Sequence, residues 1–222
     1  MFKQIFELFK TDSLYEQALA ECHEMLEIDR EMFNESINSL RHSDTAEIPI
    51  DIYKMDKQIN EFERDVRKKV MTHLVVSGQK DLGSGLILVS VVIDIERIGD
   101  YTKNIYDLAV HHPEKLLCGA NENEVIKIEV AAKDFLNQTI DAFKSQNIES
   151  ARKLMQEYKT DISAASSEIV NSIISGSNDE LSADKSSTLC LYLRYLKRIS
   201  AHSRNLVSSI VNPFERIGYP EK

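Results

Sequence analysis

The chain has 222 residues, and 42% of them are apolar, so a sizeable core is affordable in one large domain or in two of about 100 residues each. Its formal net charge of −9 argues against bulk binding to nucleic acid or to an anionic membrane surface, and suits a cation ligand or a basic partner. Few glycines and prolines and no tryptophan favour helices, while three widely separated cysteines, Cys22, Cys118 and Cys190, argue against a disulfide framework or a thiolate zinc site and fit a reducing cytoplasm.

No leader-like run opens the sequence. Instead Phe2, Ile5, Phe6 and Phe9 make one apolar face of a short amphipathic segment, which reads as a docking element or as a foot on a membrane surface. Asp12 or Ser13 is placed to cap the first long helix. Leu19, Leu26, Phe33 and Leu40 recur along it at the spacing of a bundle seam, with Ala18, Met25 and Met32 beside them. After a polar break, Ile52, Met55, Ile59, Phe62, Val66, Val70 and His73 define a second helix. Its acids Asp56 and Glu63 each lie one residue past a stripe position, with Asn60 between them. The glycine-containing stretch 77–85 predicts a turn. A third helix then runs from about Leu86 to Val110. Its apolar run from Leu86 to Ile93 is far too short to span a bilayer.

The segment from His111 through Pro113 to Glu122 predicts a boundary, dividing the chain into 1–112 and 113–222. A fourth helix follows on Val125, Ile128, Ala132, Phe135 and Phe143, and a fifth on Ile148, Ala151, Met155, Ile162 and Ile169. A loop over 175–187 precedes a sixth helix on Leu189, Leu193, Leu196, Ile199, Leu206 and Ile210, which Pro213 ends. The second half repeats the first: Arg97, Ile98 and Asn104 correspond to Arg198, Ile199 and Asn205, each 101 residues on. The expected fold is therefore all-α, with six long helices in two tandem, pseudo-symmetric three-helix bundles.

Chemistry concentrates on the third helix. Glu96 and Asp100 are four residues apart and stack on one helical face, at the border of the buried stripe Ile95, Ile98, Thr102 and Ile105. With Asp56 and Glu63 they form a carboxylate set suited to a hard cation, such as iron, manganese, magnesium or calcium, or to zinc if His73 joins. Pairing with Arg97 or Lys103 is the alternative. In the second half Glu157 and Asp161 keep the acids of the fifth helix, but Lys197 and Ala201 replace those of the sixth, so the Lys197 ammonium is expected to stand in for a metal and pair with Glu157 or Asp161. His202 is a lone histidine that reads as a boundary residue or a weak metal ligand. There is no G-x-S-x-G, no phosphate-cradling glycine loop and no H-E-x-x-H. No histidine follows a Glu at the E-x-x-H spacing of a ferritin-like oxidase, so a carboxylate di-metal oxidase is disfavoured and no enzyme is expected.

Ile95-Glu96-Arg97-Ile98-Gly99-Asp100, followed by Asn104-Ile105, resembles the signature of the PhoU domain, the phosphate-uptake regulators. Asp56-x-x-Ile59-Asn60-x-x-Glu63 is similar to that family's upstream D-x-x-I-D-x-x-E, with Asn60 in place of the second Asp. The resemblance implies two similar helical bundles and a metal, iron or zinc, on Glu96, Asp100, Asp56 and Glu63, with Asn60, Glu157, Asp161 and His202 as weaker candidates. It further implies a cytoplasmic regulator, at most peripheral to the inner face of the membrane, that contacts a phosphate transporter component, a sensor histidine kinase or both, and that is compatible with a homodimer. A metal-free helical adaptor is the alternative.

Overall fold

The computed structural model describes residues 13–112, 114–177 and 181–221, with side chains described for all of these except 77–79 and 157–161. The N-terminal apolar face of Phe2, Ile5, Phe6 and Phe9 lies outside the described residues.

Helix α1 spans Leu14–His42. Ser13 caps it in a reciprocal box: Ser13 Oγ accepts from the Glu16 N–H (3.2 Å), and Glu16 accepts from the Ser13 N–H (2.6 Å). Helix α2 spans Ile52–Ser77 and α3 spans Leu82–His111, joined by a 3₁₀ turn over Gly78–Asp81. The predicted glycine turn is thus shorter than expected, and Gly83 and Gly85 belong to α3. At Gly85 a Cβ would lie 2.9 Å from both Leu74 methyls of α2, which marks a close approach of the two helices. The second half holds α4 (Glu122–Ser145), α5 (Ile148–Tyr158), α6 (Ala165–Ile174) and α7 (Ala183–Val211). The single helix predicted from Ile148 to Ile169 carries a π-helical turn over Lys159–Ala164, which separates α5 from α6. Apolar periodicity does not register such a turn, because it leaves the flanking stripes intact.

Helices α1, α2 and α3 pack as one bundle, and α4, α5–α6 and α7 as another. The bundles meet mainly along α3 and α7, with a smaller contact between α1 and α4. Their core is a single buried cluster that runs from Ala18 and Met25 through Ile95 and Ile105 to Leu196 and Leu206. Burial fixes the internal register. In α3 and α7 the buried pairs Leu88/Leu189, Val91/Tyr192, Ile95/Leu196, Ile98/Ile199 and Ile105/Leu206 keep the offset of 101. In α1 and α4 the pairs Cys22/Val125, Met25/Ile128, Met32/Phe135 and Leu40/Phe143 follow an offset of 103, so the repeats differ by two residues between their first and third helices.

The link between the bundles is fastened to the core. Leu116 and Cys118 are fully buried, and the Leu116 N–H donates to Leu40 O (2.8 Å). Arg41, 4% exposed, donates to Glu129 (2.5 Å), to Glu122 and to Leu116 O. Tyr192 Oη donates to Glu129 Oε1 (2.9 Å), so α1, the link, α4 and α7 share one ion-paired knot.

A second polar knot ties α3 to α7. Asp94 Oδ1 meets His202 Nδ1 (2.7 Å) and accepts from Asn205 Nδ2 (2.9 Å). The Arg198 guanidinium lies over the Tyr101 ring, and His202 stacks on the same ring. Asp94→Ala strips two inter-bundle donors of their acceptor, with an expected loss of about 1–3 kcal/mol in urea unfolding.

Candidate functional site

The predicted acids converge on the α2–α3 contact of the first bundle, and a cation already meets two of them. Lys103 Nζ donates to Asp56 Oδ1 (2.8 Å) and to Asp100 Oδ1 (3.3 Å). Burial alone would lower the Lys103 pKa, but Asp56 and Asp100 outweigh it and raise it. Arg97 pairs with Asp100 (2.9 Å) and lies 3.4 Å from Glu96 Oε2. Glu63 pairs with Arg67 (2.8 Å), and Asn60 Nδ2 donates to the Asp56 carbonyl (2.9 Å). Burial, then Asp100, push the Glu96 carboxyl above its ordinary value against the opposing pull of Arg97. No three His, Cys, Asp or Glu side chains stand grouped for a metal among the described residues.

One further acid completes the set. Asp29 of α1 is 0% exposed, and neither of its carboxyl oxygens has a hydrogen-bond partner. Its pKa is driven well above the ordinary value, first by burial and then by Glu96, Asp56 and Asp100. A bare carboxylate at such a position is costly, so Asp29 calls for a proton or a cation. The sequence held the signal: Asp29 sits three residues past Leu26 and four past Met25, at helical spacing for the interior face.

Gly99 makes room for this carboxyl. A Cβ there would lie 2.9 Å from Asp29 Oδ1 and 2.9 Å from Ile59 Cδ1. In the register set by burial, the second repeat has Ala132 opposite Asp29 and Ser200 opposite Gly99. The smaller residue on one helix is matched by the larger on the other. Gly99→Ala is therefore expected to cost about 1–3 kcal/mol by overpacking, and Asp29→Ala in the same chain to recover only the share due to Asp29 while the Ile59 contact remains, read by urea unfolding.

The remaining candidates lie elsewhere. His73 is engaged with Asp81 (3.0 Å) and the Tyr15 ring, and His202 with Asp94 at the inter-bundle knot. Helix α3 carries the two clusters on opposite faces, since Glu96 is about 200° around the axis from Asp94. In the second repeat Lys197 Nζ donates to Ser167 Oγ (2.7 Å), while the side chains of Glu157 and Asp161 lie outside the described residues.

The PhoU domain model matches this chain twice, over residues 22–109 and 125–210. The chain belongs to the PhoU domain family. Each match covers most of one bundle, and the first contains all the acids of the α2–α3 site and Asp29. A PhoU homolog from Clostridium acetobutylicum, described as a phosphate-specific transport system accessory protein, is 22% identical over 92% of this chain and 88% of its own length. Its counterpart of the same description from Pseudomonas aeruginosa is 25% identical over 80% of this chain and 74% of its own. The crystal structure of PhoU from Pseudomonas aeruginosa superposes with a TM-score of 0.78 at 20% identity, covering 89% of this chain and 95% of that one. A phosphate transport system regulatory protein PhoU from Streptococcus pneumoniae gives 0.73 at 17% identity, covering 89% and 93%. The tandem all-α fold is thus that of solved PhoU proteins. No described helix is long and apolar enough to cross a membrane.

Proposed function

We propose that this PhoU-family chain is a non-enzymatic, cytoplasmic regulator of phosphate uptake that acts on a phosphate transporter component, a sensor histidine kinase or both. The observation that carries this reading is the double PhoU domain match, supported by relatives described as accessory proteins of phosphate-specific transport. Deleting the gene in its own cell is expected to release phosphate uptake from restraint in phosphate-rich medium. Uptake that is unchanged by the deletion would contradict the proposal.

The metal reading concerns the first bundle, and the orphaned Asp29 carboxyl is the observation that supports it. Asp29, Asp56, Glu96 and Asp100 would hold the ion with Glu63 beside them, an oxygen-only set that suits iron, manganese, magnesium or calcium better than zinc. A bound divalent cation would supply charge neutralisation and tie α1, α2 and α3 together. Lys103 bridges Asp56 and Asp100 and would have to release them to a metal. That same ammonium favours a second reading, a metal-free adaptor in which Asp56 and Asp100 are already paired. Complementing the deletion with Glu96→Gln/Asp100→Asn separates the two: the metal reading expects loss of regulation together with loss of bound metal, and the adaptor reading expects regulation without any metal in the parent protein.

A further inference from the structure

On α7 the second repeat has lost the acids that α3 carries and gained a cation. Lys197 stands where the first repeat has Glu96, Ala201 where it has Asp100, and Ala132 where it has Asp29. Lys197 lines a cleft of about 160 Å³ between α6 and α7, together with Arg194, Ser166, Ser167 and Asn171. No acidic side chain lines it among the described residues. Ser167 Oγ donates to Ser163 O (2.8 Å) and accepts from Lys197 Nζ (2.7 Å), which tethers the ammonium to the cleft wall. Ser166 is 1% exposed, and its hydroxyl has no hydrogen-bond partner. A serine inside a helix ordinarily satisfies its hydroxyl on the carbonyl one turn back, as Ser167 does, so an unpartnered one against a cleft is a donor in reserve.

We propose that this cleft is an anion site for a small tetrahedral oxyanion, with inorganic phosphate or sulfate as its chemistry. Arg194 and Lys197 supply the charge, and the Ser166 hydroxyl and the Asn171 amide supply neutral donors. A guanidinium fork beside an ammonium is suited to a multiply charged oxyanion rather than to chloride. The cleft has room for a free ion of this size. The site stands apart from the metal reading of the first repeat and needs no partner protein.

Equilibrium dialysis of the full chain against labelled inorganic phosphate, at low ionic strength and with chelator present, tests it. The expected result is saturable binding that sulfate displaces and chloride at equal ionic strength does not. Arg194→Gln and Lys197→Met are each expected to weaken it by roughly tenfold or more, and Glu96→Gln/Asp100→Asn to leave it unchanged. Arg194 is exposed, so its variant keeps the core intact and keeps the test valid if Lys197→Met folds poorly. Absence of saturable binding to the folded parent, or binding that Arg194→Gln leaves unchanged, would overturn the proposal.

Discussion

Arg41→Met is expected to lower the free energy of unfolding by about 3–5 kcal/mol, the cost of breaking a buried ion pair from one side. The guanidinium is almost wholly enclosed and serves Glu129, Glu122 and Leu116 O together. Burial would lower its pKa, but Glu122 and Glu129 overcome that and hold it above the ordinary arginine value. Glu129 is only 7% exposed, so without Arg41 its charge is left with the Tyr192 hydroxyl alone among its described polar contacts. The loss therefore comes mainly from stranding Glu129 rather than from the worth of the pair itself. Arg41→Met combined with Glu129→Leu is expected to recover much of the stability, because replacing both charges removes the stranded one. Urea unfolding of the parent, both single variants and the double variant measures this directly. A single-variant loss of under about 1 kcal/mol would show that water reaches the knot and screens it.

Asp29→Asn should act with opposite sign in the metal-free and metal-loaded protein. Without metal, Asp29 is a fully buried carboxyl whose pKa is raised by burial and by Glu96, Asp56 and Asp100. The folded state then holds its proton to higher pH than the unfolded chain does. Its contribution is fully present below the unfolded carboxylate pKa and is lost as pH rises through the raised folded value. Asparagine does not ionise, so in chelator the variant should gain on the parent as pH rises from the ordinary aspartate value of about 4. With metal the order inverts: a cation at hundredfold excess over its Kd stabilises the parent by about 2.7 kcal/mol and the variant by much less. Unfolding of both proteins across this pH range, with and without metal, reads the two effects separately. Equal stability at every pH would show that Asp29 finds a partner in solution.

The sequence made the scaffold legible because burial leaves a regular trace on long helices. Ile95, Ile98, Thr102 and Ile105 are all buried as their spacing predicts, and the acids Glu96 and Asp100 lie beside them on the side facing α2. Ser13 does what a serine three residues before Glu16 is expected to do. Asp29 escapes a reading that traces the first helix by its apolar residues alone, although its spacing from Met25 and Leu26 places it on the interior face. The identity of the cation on Asp56 was not legible either. Lys103 is three residues from Asp100 and predictable as its partner, but its reach to Asp56 depends on how α2 and α3 cross. The two-residue difference in register between α1/α4 and α3/α7 likewise appears only when burial is compared helix by helix, since few identities mark it.

The most direct test of the cation site is elemental analysis of the full-length protein, purified without a tag or chelator, beside the Asp29→Asn and Glu96→Gln/Asp100→Asn variants. Stoichiometric divalent metal is expected in the parent, with its loss from both folded variants. A folded parent that carries no metal, and takes up none when dialysed against iron, manganese, magnesium, calcium or zinc, would contradict the cation site and leave Lys103 as the permanent counter-ion of the first repeat.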